Sequence, residues 1–286
     1  MTHGDGSTTA SRRRLAASLR RTRTEARRKA TEVAEYLDCS LARFQRIEAG
    51  TAIVRLAEVR TLLDLYKVTG AWRREVLEEA RQARDRSWWY PYADLIDEPF
   101  ETLLILEDDA TALHTYQPSL VPGLLQTERY AWELIGTQSD VPLETVRRRA
   151  CLRAMRQKVL NRDDAPHLAV ILDEAVLWRP VGTPTVMREQ YGHLAEIAAT
   201  PRVTVQILPF KAGPHLAMGA GFHIYDFAGE EHRVLELELL DRVHFVTESP
   251  EVDHYATAFE QASKRALDPE QSSALLKELA LSGRGG

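Results

Sequence analysis

Residues 30–50 read ATEVAEYLDCSLARFQRIEAG, and this stretch decides the N-terminal fold. Val33, Ala34 and Leu37 fall at i, i+1 and i+4, one apolar face of a short helix over roughly Lys29 to Leu37. After Asp38 and Cys39 comes Ser40, whose hydroxyl suits an N-cap because it accepts from the unpaired N–H groups of the next turn. From Leu41 to Ala49, Phe44 and Ile47 lie three apart, and Gly50 suits a left-handed C-terminal cap. The opposite face carries Ala42, Arg43, Gln45 and Arg46. A small residue and two guanidinium forks on the free side of a braced helix match what a DNA major groove accepts. The stretch therefore predicts a helix-turn-helix. Arg43 and Gln45 are placed at base edges, Ala42 allows close approach, Arg46 serves base or phosphate, and Ser40 stands at the helix start. Arg27, Arg28, Lys29 and Arg55 flank the unit as phosphate contacts.

Outward from this core, Met1–Ser11 is rich in Gly, Ser and Thr and predicts a disordered tail. A helix over Arg12–Arg27 buries Leu15, Leu19 and Ala26 and leaves Arg12, Arg13, Arg14, Arg20, Arg21 and Arg23 as a basic exterior. Arg55–Lys67 repeats Leu56, Val59, Leu62, Leu63 and Tyr66 at helical spacing and closes a small bundle. The DNA-binding domain is read as residues 12–70. Residues 71–98 form a linker helix and an aromatic hinge of Trp88, Trp89, Tyr90 and Tyr92.

The totals fit this division. A chain of 286 residues holds about two domains. No apolar run approaches the roughly 20 residues of a membrane helix, and MTHGDGSTTASRRR has no apolar core after its charges, so neither a membrane span nor a secretory leader is expected. Cys39 and Cys151 make no disulfide framework and read as two reduced thiols of a cytoplasmic protein. Arg12–Tyr90 carries 19 Lys and Arg against 11 Asp and Glu, a balance of +8, while the chain as a whole stands at −5 and the part after Tyr90 at −12. A basic module on an acidic body is the asymmetry expected when only the first part meets phosphate.

Residues 99–286 read as a mixed α/β domain. Helices are expected over Pro99–Leu113, Thr127–Ile135, Pro142–Leu160, Pro184–Ala199, Pro250–Leu267 and Pro269–Leu281. About five strands are expected: His167–Leu172, uniformly apolar and so buried on both faces, then Val203–Leu208, Gly221–Phe227, Arg233–Leu239 and Val243–Val246. The basic run Arg147, Arg148, Arg149, Arg153, Arg156 and Lys158 reads as a solvated face or an internal match to the acidic body, with a second phosphate surface as the alternative.

Several stretches resemble one family. S-L-A-R-F-Q-R-I-E-A-G is similar to the recognition helix of xenobiotic-response-element-type, phage-repressor-like helix-turn-helix regulators. Ser87-Trp88-Trp89 with Pro91-Tyr92, Tyr116-Gln117-Pro118, Leu120–Thr127, Leu172–Leu177, Arg179–Gly182, Val205–Phe210 and Gly213-Pro214-His215 resemble the large actinobacterial group of such regulators that carry a C-terminal domain of unknown function. Some members are described as antitoxin-like regulators beside a small partner protein. The resemblance covers roughly Arg12 to Leu281. It implies a five-helix lambda-repressor-like module and makes Glu48 a structural acid paired to an arginine of the first helix. The chain departs from the family where the second helix starts: in place of Gly-x-Thr-Gln stand Arg27, Arg28, Lys29 and Ala30, which removes a capping threonine and a backbone-contacting glutamine.

No phosphate-loop, dinucleotide-binding, H-E-x-x-H or C-x-x-C motif is present, and none of the nine histidines pairs at i,i+4 on a predicted helix, so neither a metal nor a cofactor is expected. Asp173-Glu174 ends a buried strand, where α/β sheets often bind ligands. Glu174 and His215 could be composed into an acid–base pair, although Glu174 equally suits a helix cap and His215 a loop anchor. Tyr116, Gln126, Glu174, Arg179, His215 and Met218 are the candidate effector-binding residues. The reading is a regulator that binds double-stranded DNA as a homodimer and senses a small-molecule effector or a small partner protein encoded nearby. The alternatives are an antitoxin-like interaction protein and an enzyme with a relic helix-turn-helix.

Overall fold

The computed structural model describes residues 6–282 apart from 51, 53, 55, 86–87, 138–140, 228–232, 240–242 and 248. The chain divides into two compact units, Met1–Asp109 and Ala110–Gly286. The first is helical: α1 (Gly6–Glu25), α2 (Ala30–Tyr36), α3 (Leu41–Ala49), α4 (Leu56–Leu65), α5 (Gly70–Asp85) and α6 (Glu98–Asp109). Helix α1 starts at Gly6, inside the stretch whose composition predicts a disordered tail. The core gathers Leu15 and Leu19 of α1, Val33 and Ala34 of α2, Phe44 and Ile47 of α3, Val59, Leu62 and Leu63 of α4, and Val76 and Ala80 of α5. These are the residues whose helical spacing marks them as one apolar stripe per helix.

Local chemistry sets each helix end. Asp38 adopts the left-handed conformation, so its N–H reaches the Glu35 carbonyl (3.1 Å) and the Cys39 N–H reaches the Ala34 carbonyl (3.0 Å). That pattern of crossed bonds terminates α2 and turns the chain into α3. Ser40 then caps α3, its hydroxyl accepting from the Arg43 N–H at 3.1 Å. Gly50 ends α3 with φ of 77°, a left-handed conformation that glycine adopts without steric cost. Arg27 and Lys67 close α1 and α4 in the same left-handed geometry without being glycine. No side chain caps α2 from Lys29, but Glu32 accepts from the Lys29 N–H at 3.4 Å, which fixes the helix start that lacks its threonine.

Ion pairs tie the helices together. Arg23 donates to both carboxylate oxygens of Glu48 (2.7 and 2.9 Å), linking α1 to α3, and also to the Arg28 carbonyl (2.8 Å). Arg12 does not belong to a basic exterior. Its side chain is 4% exposed, it pairs with Asp108 (2.9 Å) and Asp109 (2.6 Å) of α6, and it lies 5.7 Å from the Trp89 ring centroid. A buried cation needs such partners because desolvation penalises it otherwise.

The second unit is built on one six-stranded sheet in the order β3-β2-β1-β4-β5-β6. The strands are β1 (Ala112–Gln117), β2 (His167–Asp173), β3 (Val203–Leu208), β4 (Phe222–Asp226), β5 (Val234–Glu238) and β6 (Val243–Val246). β1, β2 and β3 run parallel, and β4, β5 and β6 continue antiparallel from the other side of β1. The sixth strand is β1 itself: the helix expected over Pro99–Leu113 stops at Asp109, and Ala112 and Leu113 open the central strand instead. The helices are α7 (Glu128–Gly136), α8 (Leu143–Arg156), α9 (Ala175–Trp178), α10 (Pro184–Ile197), α11 (Ser249–Arg265) and α12 (Pro269–Ser282).

One sheet face packs Tyr116, Ile171, Phe222, Ile224 and Leu235 against Val252, Ala258, Phe259 and Ala262 of α11. Edge strand β3 is covered by the connection into α12: Ile207 N–H donates to Ser272 Oγ (3.0 Å), and its carbonyl accepts from Leu267 N–H (2.8 Å). Among the described residues, no helix is long and apolar enough to cross a membrane.

A non-glycine residue in the left-handed region carries a steric cost that glycine avoids. Lys67→Gly is expected to raise stability by about 1 kcal/mol, read as a higher urea midpoint at unchanged slope. A lower midpoint would show that the Lys67 side chain contributes more than its backbone conformation costs.

Candidate functional site

The first candidate surface is the free side of α3. Ala42 and Gln45 are exposed on it, and Arg46 is half-buried. Exposed Arg27, Arg28 and Lys29 precede α2. The structure brings these residues onto the α2–α3 pair and its approach, whereas Arg55 lies outside the described residues. Arg43 departs from the sequence expectation. Its guanidinium turns back to Glu58 of α4 at 2.9 Å, and the two side chains are only 15% and 20% exposed. Burial alone would lower the Arg43 pKa, but Glu58 and a hydrogen bond with Cys39 outweigh it, and the group stays firmly charged. The physical reason is proximity: a shielded cation takes the nearest acid rather than stand unpaired. Glu48 lies as the resemblance implies, bonded to an arginine of α1. That bond is the chief reason the Arg23 guanidinium is held above its ordinary value.

The second candidate surface is the carboxyl edge of the parallel strands. Tyr116, one residue before the end of β1, and Asp173, the last residue of β2, share a sheet face, and His215 descends on them from the connection between β3 and β4. The Tyr116 and His215 rings meet edge-on, 5.6 Å between centroids. Asp173 Oδ2 lies 4.0 Å from His215 Nε2. Glu174 is not the partner of His215. Its carboxylate accepts from the Phe210 N–H (2.7 Å) and from Trp178 Nε1 (3.1 Å), so it ties β2's exit to β3's exit. Sequence reasoning favoured Glu174 over Asp173, although the period of two was the available signal: Asp173 shares a face with Ile171, which pairs with Tyr116.

Gln126 belongs to neither surface. It is buried, its amide donates to the Val121 carbonyl (2.7 Å), and its side-chain oxygen accepts from Arg153 (2.8 Å). Gln190 completes this latch, donating to the Leu125 carbonyl (2.6 Å) and accepting from the Thr127 N–H (2.8 Å). Arg156 of the basic run is buried as well, so part of that run is internal. Arg179 and Met218 are exposed.

One group has metal-ligand character. His223, Glu236 and Glu238 place ligand atoms within 4.8 Å of one another across β4 and β5. Both ring nitrogens of His223 are already engaged, Nδ1 with Thr115 (2.9 Å) and Nε2 with the Gln117 amide (3.2 Å), and Tyr225 bonds Glu236.

Burial pushes the His215 pKa below the ordinary imidazole value, with Asp173 opposing the shift and Arg265 adding to it. A depressed histidine pKa favours the neutral form in the fold. Its contribution to stability is complete above the unfolded value of about 6.5 and fades as pH falls toward the lower folded value. His215→Gln should therefore lose less stability than the parent as pH falls below about 6.5; identical pH profiles would remove His215 from that role. For the other surface, a double-mutant cycle of Arg43→Met and Glu58→Gln should give a coupling of ~1 kcal/mol by denaturant unfolding, and an additive cycle would show the pair to be open in solution.

Residues 14–76 match the family model of a helix-turn-helix domain, and residues 100–278 match that of a domain of unknown function, DUF5753. The first match suggests a DNA-binding regulator. No curated protein and no solved structure matches the chain. With well over half of its 286 residues matched by one model, the chain belongs to the DUF5753 family and carries a helix-turn-helix domain ahead of that region.

Proposed function

We propose that the chain is a phage-repressor-like transcriptional regulator that reads duplex DNA through α2 and α3. The observation that carries this reading is a capped α3 with exposed Ala42 and Gln45, approached by exposed Arg27, Arg28 and Lys29, in the basic part of the chain. Gln45 reads a base edge, with adenine the chemically favoured partner of a bidentate amide. Ala42 lets the helix approach the groove, and Ser40 and Arg46 stand beside them at the surface of the duplex. Arg27, Arg28, Lys29 and Arg55 grip phosphates. Arg43 acts as a brace between α3 and α4 in the free protein and keeps its charge available to the duplex. One recognition helix touches too few base pairs for useful affinity, so the working form is a homodimer on half-sites about 34 Å apart.

The second unit senses a small effector, with Tyr116, Glu174, Arg179, His215 and Met218 at or beside its carboxyl edge. The antitoxin-like alternative, in which a small partner protein docks instead, draws support from large apolar side chains left exposed there, among them Trp178 and Phe210. Co-purification with the product of an adjacent small gene would favour it.

Genome-wide footprinting supplies the operator for the test. In fluorescence anisotropy, Gln45→Ala is expected to weaken operator binding by about 1–3 kcal/mol and leave non-specific DNA nearly untouched. Lys29→Ala is expected to weaken both and to flatten the salt slope by about one. Equal losses on every sequence from both variants would overturn the base-reading role of Gln45.

A further inference from the structure

The carboxyl edge of β1 and β2 holds two buried polar atoms that the fold does not use. Tyr116 is fully buried, and its hydroxyl has no hydrogen-bond partner among the described residues. His215 has a side chain 4% exposed, and its Nδ1 is likewise buried without a partner. The two rings are in contact. Buried polar groups are nearly always paired, because leaving one unpaired forfeits its hydration with nothing in return. The His223 group makes the contrast: there a histidine of similar placement has both nitrogens engaged by Thr115 and Gln117. Two adjacent orphans at the point where the strand order reverses, β2 on one side of β1 and β4 on the other, mark the place where open α/β sheets take ligands.

The surroundings define the ligand. Trp178 and Phe210 are exposed, and both hang on the same Glu174 carboxylate. Leu216 and Met218, close after His215 in the chain, are exposed as well. The connections that leave β2 and β3 thus offer exposed apolar side chains to an apolar body. Its polar head meets a hydroxyl donor on Tyr116 and, with the Nε2 proton turned toward Asp173, an acceptor lone pair on His215 Nδ1. A hydroxyl group is the simplest head that accepts from one and donates to the other. The Asp173 charge bears on both the Tyr116 hydroxyl and the imidazole, which opposes an anionic head, and the burial of the two atoms penalises any ion that reaches them.

We propose that this edge binds a neutral, hydroxyl-bearing apolar molecule, with the hydroxyl between Tyr116 and His215 Nδ1 and the apolar body against Trp178, Phe210, Leu216 and Met218. The proposal rests on the reading that this unit senses a small molecule, and it names the chemistry of that molecule. Entry runs past the connection that carries His215. Arg265 holds that connection by donating to the Pro214 carbonyl (2.6 Å) and the Ala212 carbonyl.

The test is calorimetric titration of the full chain, without DNA, by three probes of matched skeleton: 4-butylphenol, 4-butylbenzoate and 4-butylbenzylamine. The phenol is expected to bind at one site per chain, at least tenfold more tightly than either ion. Tyr116→Phe is expected to weaken it about tenfold, while Lys264→Ala leaves it unchanged. Because the Tyr116 hydroxyl has no structural partner, Tyr116→Phe should fold with an unchanged or raised Tm. Equal or tighter binding of an ion, unchanged phenol affinity in Tyr116→Phe, no binding of any probe, or a lowered Tm in Tyr116→Phe would each overturn the proposal. Operator affinity measured with and without the phenol separates the two readings: phenol binding that leaves DNA affinity unmoved retires the sensing role and upholds the site.

Discussion

A single guanidinium organises the N-terminal unit. Arg23 spends its donors on both oxygens of Glu48 and on the Arg28 carbonyl, so it joins α1, the far end of α3 and the approach to α2. Its side chain is 17% exposed and that of Glu48 9%. Removing one member of a buried pair strands the other, at about 3–5 kcal/mol, a large part of the 5–15 kcal/mol that holds a typical domain folded. The same guanidinium explains how α2 tolerates the loss of its capping threonine. The Arg28 carbonyl is anchored by Arg23, and Glu32 receives the Lys29 N–H. The turn is thereby fixed by backbone groups, which leaves the side chains of Arg27, Arg28 and Lys29 in solvent.

Helix α3 is clamped at both ends by ion pairs of opposite polarity. Glu48, near its C-terminus, binds α1, and Arg43, near its N-terminus, binds α4. Such a helix has little freedom to rotate about its axis, so the choice of residues it offers is made by packing rather than by composition. Of the polar residues on its outer side, Gln45 is the one placed fully in solvent with a small neighbour, Ala42, one turn before it. Rigid presentation of one amide suits base reading, because the bidentate geometry tolerates little misalignment. Counting arginines overstates what the face can donate.

The helices of the first unit were legible in the sequence because each obeys one period. Val33 with Leu37, Phe44 with Ile47, and Val59 with Leu62 and Leu63 are spaced as one buried stripe, and Ser40 and Gly50 mark the ends of α3 by their own chemistry. The partners of charged residues were not legible. Arg12 and Arg43 look like surface cations until distant acids, Asp108, Asp109 and Glu58, arrive beside them in the fold. Glu174 and Asp173 differ by a single step of the strand, and that step sends one to the loop anchor and the other toward His215. Gln126 is obscure for a similar reason: the sequence gives no sign of whether its amide faces a ligand or, as the fold has it, the Val121 carbonyl and the Arg153 guanidinium.

Strand β1 shows why a central element can escape a reading by apolar runs. A central strand is usually recognised by a run of apolar residues, yet β1 reads ALHTYQ. Its polar residues are tolerated because the neighbouring strand supplies partners: Thr115 and Gln117 meet His223 on one face, and His114 meets Asp226 (3.1 Å) on the other. Tyr116 breaks that rule. It packs against Phe222 and His215 as an apolar ring would, while burial and the Asp173 charge raise its pKa and keep its hydroxyl protonated. A phenylalanine would fill the same core without an unpaired oxygen. The hydroxyl is therefore surplus to the packing of the sheet: Thr115, Gln117 and His114 find partners on the neighbouring strand, and Tyr116 keeps a buried donor without one among the described residues.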